Sequence, residues 1–268
     1  MTDLPAPLVS AVVPTIRLDT WFDEALHSLL GQEGINLQLI VILDGVGDHD
    51  HHPWMDDPRV TILSNEHRLG VGRTLRKAME HAEGEFVARL DADDVAKPGR
   101  LAKQANYLAS HPDTVAVSAR TELINGQGAV IGELPFASGP DVRPALLLQN
   151  VVVQSAVMFR QGDYRAVGGY EPMRQMEDYH LWLRLAQRGK IAILPDVLAQ
   201  YRVHETQLSL GAKPFGEHIV KVLNERRNLR RSLGTSALAG MTKDLIWAGV
   251  QYLRYYVLVP AKRRLRKA

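Results

Sequence analysis

The first 110 residues alternate short apolar segments with segments of helical spacing, and this alternation is the feature that most constrains the fold. Apolar runs occupy residues 8–15, 37–45 and 60–65, and a fourth lies within residues 85–94. Segments with helical periodicity follow the first and the third of these runs, and the first such segment has Asp19 as its predicted N-cap. Strands that alternate with helices favour a mostly parallel sheet covered on both faces, so the sequence predicts an α/β fold.

Polar side chains stand at the ends of three of these predicted strands. Asp44 closes the second strand, Asn65 the third, and Asp91 the fourth. In open α/β sheets, ligands bind beyond the carboxyl ends of the strands. We therefore expect the three side chains to converge on one edge of the sheet and to form part of a binding site.

The segment EFVARLDADDVAKPGRLAKQ, residues 85–104, places three aspartates directly after an apolar strand: Asp91, Asp93 and Asp94. Like charges this close repel one another and are costly to desolvate, so we expect a cation beside them. Mg²⁺ or Mn²⁺ would suit, because such ions combine carboxylate ligands with phosphate oxygens and water. If the extended backbone continues through Ala92, Asp91 and Asp93 point to the same side. The alternative, a cap for the next helix, requires only one aspartate.

Composition excludes several classes of site. The chain has 268 residues, of which 46% are hydrophobic, enough for one large domain or for a domain with an appendage. Cysteine is absent, which excludes a disulfide, a thiolate metal site and a cysteine nucleophile. The net charge of +2 gives no argument for nucleic acid, and the N-terminal residues lack the pattern of a signal peptide. We therefore expect a cytoplasmic protein that does not bind nucleic acid.

The C-terminal segment from about residue 241 has a different pattern. Projected as a helix, it has a narrow polar stripe and a wide apolar arc, and Pro260 ends it. This pattern favours an interfacial helix on an anionic membrane, and the alternatives are packing on the main domain or a dimer contact. The stripe contains Asp244, Gln251 and Arg254; the arc contains Leu245, Ile246, Val250, Leu253 and Val257; the basic residues that follow are Lys262, Arg263, Arg264, Arg266 and Lys267.

Several motifs occur together in an order and spacing that resemble those of the family-2 glycosyltransferases. They are VSAVVPTIR, LIVILDG, NEHRLGVGRTLRKAMEHAEGEFVARLDADDVAKPGRLAKQ, MEDYHLWLRLAQRG and YRVH, and they span about residues 8–210. The resemblance implies a GT-A fold, which is Rossmann-like with a mostly parallel sheet flanked by helices, and inversion at the anomeric carbon. We accordingly divide the chain into a domain of residues 1–240 and a tail of residues 241–268. Within the domain, the nucleotide-sugar site would lie in about 8–110 and the acceptor site in about 111–210.

The resemblance also implies roles at the donor site. Asp44 would accept a hydrogen bond from a pyrimidine N–H of a UDP- or dTDP-sugar. Asp93 would be the direct ligand of Mn²⁺ or Mg²⁺, with Asp91 contacting the ribose, the metal or a metal-bound water. The other residues implied around the nucleotide are Pro14, Thr15, Arg17, Asn65 and Arg68.

The motif YRVH adds two candidates to this set. His204 would be a further metal ligand or a diphosphate contact, and the alternative is a structural hydrogen bond. Arg202 beside it could pair with phosphate oxygens.

A pair of carboxylates, Glu177 and Asp178, opens a segment of helical spacing. By resemblance, Asp178 is the general base that takes the proton of the acceptor hydroxyl, and Glu177 orients the acceptor or Asp178. The helix dipole alone would also explain carboxylates in a first turn. The implied acceptor is a glycan or a lipid-linked molecule, as in the synthesis of cell-surface polysaccharides or glycolipids.

Two functions outside this family remain as alternatives. A metal-dependent nucleotidyltransferase would need a phosphate-binding loop rich in glycine and lysine after the first strand, and PTIRLDT is not such a loop. A non-catalytic sugar-nucleotide-binding or scaffold protein would be favoured if replacing Asp178 left the cellular phenotype unchanged.

Overall fold

The strands of the chain, taken from a computed structural model, form one mixed sheet of nine strands. The structure describes residues 7–205, 216–253 and 256. The strands are β1 Leu8–Thr15, β2 Asn36–Asp44, β3 Val60–Asn65, β4 Phe86–Arg89, β5 Val95–Ala96, β6 Thr114–Ile124, β7 Val130–Glu133, β8 Met158–Arg160 and β9 Lys190–Arg202.

Helices connect the strands and cover both faces of the sheet. The first begins as the sequence predicts, because the side chain of Asp19 accepts a hydrogen bond from the backbone N–H of Phe22. The helices are α1 Thr20–Leu30, α2 Val71–Met79, α3 Arg100–Ser110, α4 Arg143–Leu146, α5 Gln161–Ala166, α6 Glu177–Leu185, α7 Glu217–Ser232 and α8 Ala237–Leu253, with 3₁₀ turns at Pro53–Asp56 and Gln154–Ala156.

The strand order is β3-β2-β1-β4-β8-β6-β9-β5, and β7 pairs with the outer part of β6. β1 to β4 are parallel neighbours, and β8 is inserted antiparallel between β4 and β6. β9 then runs parallel to β6, so six of the nine described strands point the same way. The prediction of an α/β fold with a mostly parallel sheet is therefore confirmed, and the carboxyl ends of β1, β2, β4 and β9 lie at one edge.

Alternate residues of the central strands pack into two separate cores. Val9, Ala11 and Val13 of β1 pack on one face with α1 and α3, while Val12 packs on the other face with α2 and α6. Burial on both faces explains why these strands are continuous apolar runs rather than alternating ones. Trp182 of α6 is fully buried and packs against Phe159, so its role is in the core.

The fourth strand is shorter than the apolar run that predicts it. β4 ends at Arg89, and the N–H of Asp94 donates to the carbonyl of Asp91 at 3.2 Å, which closes a turn. The extended backbone that would place Asp91 and Asp93 on one side is therefore absent, and the three aspartates diverge. We call residues 91–94 the acidic turn.

The second helix ends several residues before Gly84. α2 ends at Met79, and the chain turns before it reaches Gly84. A Cβ at Gly84 would lie 2.6 Å from the backbone N of Ser10 and 2.8 Å from the carbonyl oxygen of Leu8, so only glycine fits against β1 here.

The predicted C-terminal helix forms as α8, beginning at Ala237 and packing on α7. Arg254, Val257 and the basic residues after Pro260 lie outside the described residues. None of the helices in the described part of the chain combines the length and the apolar character needed to cross a bilayer.

Candidate active site

The acidic turn sits on two buried arginines. Asp91 accepts a hydrogen bond from Arg89 at 2.7 Å, and Arg89 also donates to the carbonyls of Val12 and Leu90. Arg100, at the start of α3, donates to the carbonyl of Arg89 at 2.8 Å. Both guanidinium groups are fully buried, so they offset part of the negative charge of the turn from below.

Asp93 points to the end of β9. Its Oδ2 lies 2.7 Å from Nε2 of His204, whose ring packs against Trp21. Burial, and then the charge of Asp91, raise the pKa of Asp93, although the contact with His204 acts in the opposite direction. Two of the candidate metal ligands, Asp93 and His204, are therefore in direct contact.

Asp94 points into the protein and has a structural role. Its Oδ1 accepts a hydrogen bond from the backbone N–H of Arg202 at 2.8 Å, which joins the acidic turn to β9. Burial raises its pKa well above the usual range, and the charges of Asp93 and Asp91 add to the shift.

The proposed contact of Arg202 with phosphate is wrong for this structure. Its side chain is 1% exposed, and its guanidinium donates to the carbonyls of Asp93 and Asn125 and to the carboxylate of Glu24. Arg202 therefore braces the acidic turn from behind and presents no N–H group to a ligand on the surface.

The Glu177–Asp178 pair lies in the first turn of α6. Asp178 Oδ2 accepts a hydrogen bond from the side-chain amide of Asn150 at 2.8 Å. Burial raises the pKa of Asp178, and burial together with the charge of Asp178 raises the pKa of Glu177 to about 8. Burial therefore favours the protonated form of Glu177, and Asp178 is a stronger base than an exposed aspartate.

Met176, immediately before this pair, has a left-handed backbone conformation. Its φ of 60° makes it the one described non-glycine residue with a positive φ. Such a conformation is costly for an L-residue and tends to occur where function requires it. Here it turns the chain so that Glu177 and Asp178 open α6.

The acidic turn and the carboxylate pair form one electrostatic cluster. The charge of Asp91 contributes, after burial, to the raised pKa of Asp93, and it also raises the pKa of Glu177 and Asp178. Residues almost 90 positions apart in the sequence are therefore neighbours at the carboxyl edge of the sheet. Strongly perturbed carboxylates that converge in this way are typical of active sites.

Asp44 and Asn65 meet at the same edge, as predicted, but they contact each other. Asp44 accepts hydrogen bonds from Asn65 at 2.9 Å and from the backbone N–H groups of Leu69 and Gly70. Burial alone would raise the pKa of Asp44, but these bonds lower it overall. The pair thus orders the loop 65–70, in which Arg68 is exposed.

The loop after β1 carries the remaining donor-site candidates. Thr15 is buried, and its hydroxyl bonds within the loop to Arg17. Arg17 pairs with Asp19 at 2.5 Å and its guanidinium lies over the ring of Trp21. Pro14 precedes them at the end of β1 and is half-buried. These contacts fix the loop beside the acidic turn, because Trp21 also packs on His204.

Asp93 and His204 are the residues best placed to hold a divalent cation. Carboxylate and imidazole are both ligands of Mn²⁺, and Asp91 beside them keeps 35% of its side chain exposed. The described residues contain no group of three or more side chains that would complete a metal site. A cation held here would therefore need its other ligands from a diphosphate and water.

Residues 10–131 match the model of glycosyl transferase family 2, a range that contains β1, the loop 65–70 and the acidic turn. The match assigns residues 10–131, a little under half of the chain, to glycosyl transferase family 2.

Relatives and solved structures of other glycosyltransferases agree with this assignment. The amylovoran biosynthesis glycosyltransferase AmsE of Erwinia amylovora is 33% identical over 151 residues, covering 56% of this chain and 56% of AmsE. An Escherichia coli enzyme, UDP-Glc:alpha-D-GlcNAc-diphosphoundecaprenol beta-1,3-glucosyltransferase WfgD, is 24% identical over 75% of this chain and 79% of its own length.

The fold of this glycosyltransferase matches that of TarS from S. aureus. The crystal structure of TarS residues 1–349 with UDP-GlcNAc superposes with a TM-score of 0.68 and 17% identity, covering 92% of this chain and 73% of that one. The predicted GT-A fold is therefore confirmed.

Several residues of the glycosyltransferase site were not predicted from the sequence. Arg89 and Arg100 beneath the acidic turn, and Asn150 against Asp178, are the main ones. For Arg89 a signal was available, because a charged residue in the middle of the apolar strand FVARL needs a buried partner. The partners of Arg100 and Asn150 are distant in sequence, so no local pattern indicated them.

Proposed function

We propose that the chain catalyses an inverting transfer of a sugar from a UDP- or dTDP-sugar to a hydroxyl group of a glycan or lipid-linked acceptor. The observation that carries this proposal is the single carboxylate cluster formed by the acidic turn and the Glu177–Asp178 pair. One side of such a cluster can bind a nucleoside diphosphate through a cation, and the other side can activate an acceptor. Residues 8–110 would bind the donor and residues 111–210 the acceptor.

The donor would lie along the carboxyl ends of β1, β2 and β4. Thr15, Arg17 and Asp44 order the two loops that border this edge, and Arg68 is exposed on one of them. The superposition with TarS, which was crystallised with UDP-GlcNAc, supports a donor of this class. Asn65 would act through Asp44, since its side chain is buried against that carboxylate.

Asp93, with His204 and Asp91, would hold Mn²⁺ or Mg²⁺ at the diphosphate. A bound divalent ion would supply Lewis-acid stabilisation of the departing diphosphate. The hydrogen bonds between Arg202 and the acidic turn would hold the turn against the end of β9, so that Asp93 and His204 stay in contact.

Asp178 would act as the general base. Asn150 holds its carboxylate through Oδ2, and this carboxylate would take the proton of the acceptor hydroxyl. The acceptor oxygen would form a bond to the anomeric carbon as the bond from that carbon to the diphosphate oxygen breaks, with inversion. Protonated Glu177 would donate a hydrogen bond to the acceptor.

The name of WfgD specifies an acceptor linked to diphosphoundecaprenol, and a lipid-linked acceptor is our proposal for this chain as well. Such an acceptor would place the enzyme at the cytoplasmic face of a membrane, in the synthesis of a cell-surface polysaccharide.

The test is a donor and acceptor assay of wild type, Asp178→Asn and Asp196→Asn. Asp196 is an aspartate outside the cluster that pairs with Lys103 on the surface, so its variant is the matched control. We expect Asp178→Asn to lower turnover by about 10²- to 10⁴-fold while donor affinity, measured by calorimetry, stays near that of wild type. Asp196→Asn should retain full turnover.

Three results would contradict the proposal. Full turnover by Asp178→Asn would show that Asp178 is not the general base. Donor binding by wild type without turnover on any acceptor would favour a scaffold protein. Release of pyrophosphate in place of a nucleoside diphosphate would favour a nucleotidyltransferase.

A further inference from the structure

The outer face of α8 is apolar. A surface helix of a soluble protein normally turns its apolar stripe inward and its charged residues outward, and α8 has the reverse arrangement. Leu245 and Ile246 are 72% and 63% exposed. None of the exposed residues between positions 241 and 253 is charged, since Lys243 and Asp244 are half-buried. The large apolar side chains on this outer face are Met241, Leu245, Ile246, Val250, Tyr252 and Leu253.

An ion pair and a buried aromatic ring fix this orientation. Asp244, the one acidic residue after position 240, faces inward and pairs with buried Arg226 of α7 at 3.0 Å. Trp247, one turn further along, is 2% exposed, and the guanidinium of Arg226 lies 4.8 Å from the centre of its ring. Rotating α8 to bury its apolar arc would break both contacts, so the exposed face belongs to the packed state of the helix.

The charge of the following segment indicates what covers this face. After Pro260 the sequence has five lysine or arginine residues and no acidic one. Tyr252 and Tyr256, at the end of the helix towards this segment, are about half exposed, as is common for aromatic residues at the boundary between lipid and water. An apolar helix face followed by a basic segment complements a surface that is apolar inside and anionic at its headgroups.

We propose that the outer face of α8 docks on an anionic membrane, with the helix lying in the plane of the headgroups. A second copy of the chain is a poorer partner, because residues 245–268 contain no acidic group that could pair with the basic segment of the other copy. The inference rests on α8 and on the charge of the segment that follows it, and it does not require the proposed reaction.

The test is flotation of the full-length protein with phosphatidylcholine vesicles and with vesicles that also contain phosphatidylglycerol. We expect wild type to bind the anionic vesicles, and the double variant Leu245→Gln/Ile246→Gln to bind them at least about tenfold more weakly. The variant Val130→Gln/Ile131→Gln is the control, because it removes apolar side chains of β7 that are 57% and 56% exposed. It should bind like wild type.

Two further variants separate the parts of the proposal. Arg263→Gln/Arg264→Gln should lose most of the preference for anionic over neutral vesicles. Asp178→Asn should bind vesicles like wild type, so a failure of the reaction and a failure of docking are distinguishable.

The proposal is overturned if wild type does not bind anionic vesicles, or if Leu245→Gln/Ile246→Gln binds them as wild type does. A dimer detected by light scattering that this variant dissociates, without vesicle binding by wild type, would show that the face belongs to a second copy.

Discussion

Each carboxylate of the acidic turn has a different kind of partner. Asp91 pairs with a buried arginine, Asp93 with a histidine, and Asp94 with a backbone N–H group. The positive charge that the sequence requires near the aspartates is thus supplied in part by the protein itself. Arg89 neutralises the inner side of the turn and leaves the outer side, with Asp93, for a ligand.

The sequence alone indicates that the aspartates follow a strand, but it does not show which way their side chains point. The run EFVARLDADD indicates one long strand, whereas the turn after Leu90 sends Asp94 inward. The prediction that Arg202 contacts phosphate was wrong for a similar reason. The side chain is buried because it bonds to Glu24 and Asn125, and no local sequence pattern connects these residues to Arg202. The pair Glu177–Asp178, by contrast, is in the first turn of a helix, as predicted.

Glu177 makes stability depend on pH, which can be measured. Its pKa is about 8 in the folded protein, against 4.5 for an ordinary glutamate, so folding favours the protonated form. Its stabilising contribution is therefore complete below about pH 4.5 and is lost as the pH rises to about 8. We expect Glu177→Gln to reduce the loss of unfolding free energy between pH 5 and pH 8 by on the order of 2 kcal/mol, measured by urea denaturation.

Glu217→Gln is the control for this measurement. Glu217 occupies the first turn of α7 and is exposed, so its replacement should leave the pH dependence of wild type unchanged. Identical pH dependence in wild type and Glu177→Gln would mean that Glu177 titrates as an ordinary glutamate.

At the scale of elements, one buried side chain of α7 contacts both α8 and the rest of the domain. Arg226 donates to Asp244, to the hydroxyl of Tyr179 at 2.9 Å and to the carbonyl of Leu147 at 2.9 Å. Tyr179 follows Asp178 directly, so the same contacts support the start of α6. The sequence predicted α8 and its polar stripe, but it gave no signal that Arg226 would hold that stripe inward.

Arg226→Met should be strongly destabilising. It leaves Asp244 without its closest cation and removes four hydrogen bonds made by a side chain that is 1% exposed, so we expect a loss of about 3–5 kcal/mol in unfolding free energy. Arg227→Met is the matched control, because that neighbouring arginine is 51% exposed, and it should change stability by about 0.5 kcal/mol or less.

The free energies of unfolding of the two variants are measured by urea denaturation. Adding Asp244→Leu to Arg226→Met should recover part of the loss, because the buried charge of Asp244 is then removed. A loss below about 1 kcal/mol for Arg226→Met would mean that α7 and α8 are held mainly by apolar packing.

At the scale of the molecule, the sheet joins two halves at a common edge. The parallel strands β1 to β4 could be predicted from their apolar runs and from the helical segments that follow β1 and β3. The order of the second half could not, since β8 pairs with β4 across more than 60 residues of intervening chain. The acidic turn is where the halves meet, because β5, which follows it, pairs with β9.

Donor binding should therefore stabilise the whole domain and require the cation. We expect UDP with Mn²⁺ to raise the melting temperature by several degrees, since a ligand at 100 times its Kd adds about 2.7 kcal/mol of stability. UDP alone should have a smaller effect, and Asp93→Ala should remove the difference that Mn²⁺ makes. Asp196→Ala, the surface control, should respond like wild type, and an unchanged response in Asp93→Ala would exclude Asp93 as the ligand.

The contacts between the acidic turn and the end of β9 can form only late in the synthesis of the chain. The Asp94–Arg202 and Asp93–His204 contacts span 108 and 111 positions of the chain. At ribosomal rates of about 5–20 residues per second, the turn is made roughly 5 to 20 seconds before its partners exist. A nascent or prematurely terminated chain therefore carries the aspartates without the histidine and the backbone N–H group that hold them. If these residues have the roles that we propose, such a chain could not assemble the cation site and would not compete with the completed enzyme for nucleotide sugar.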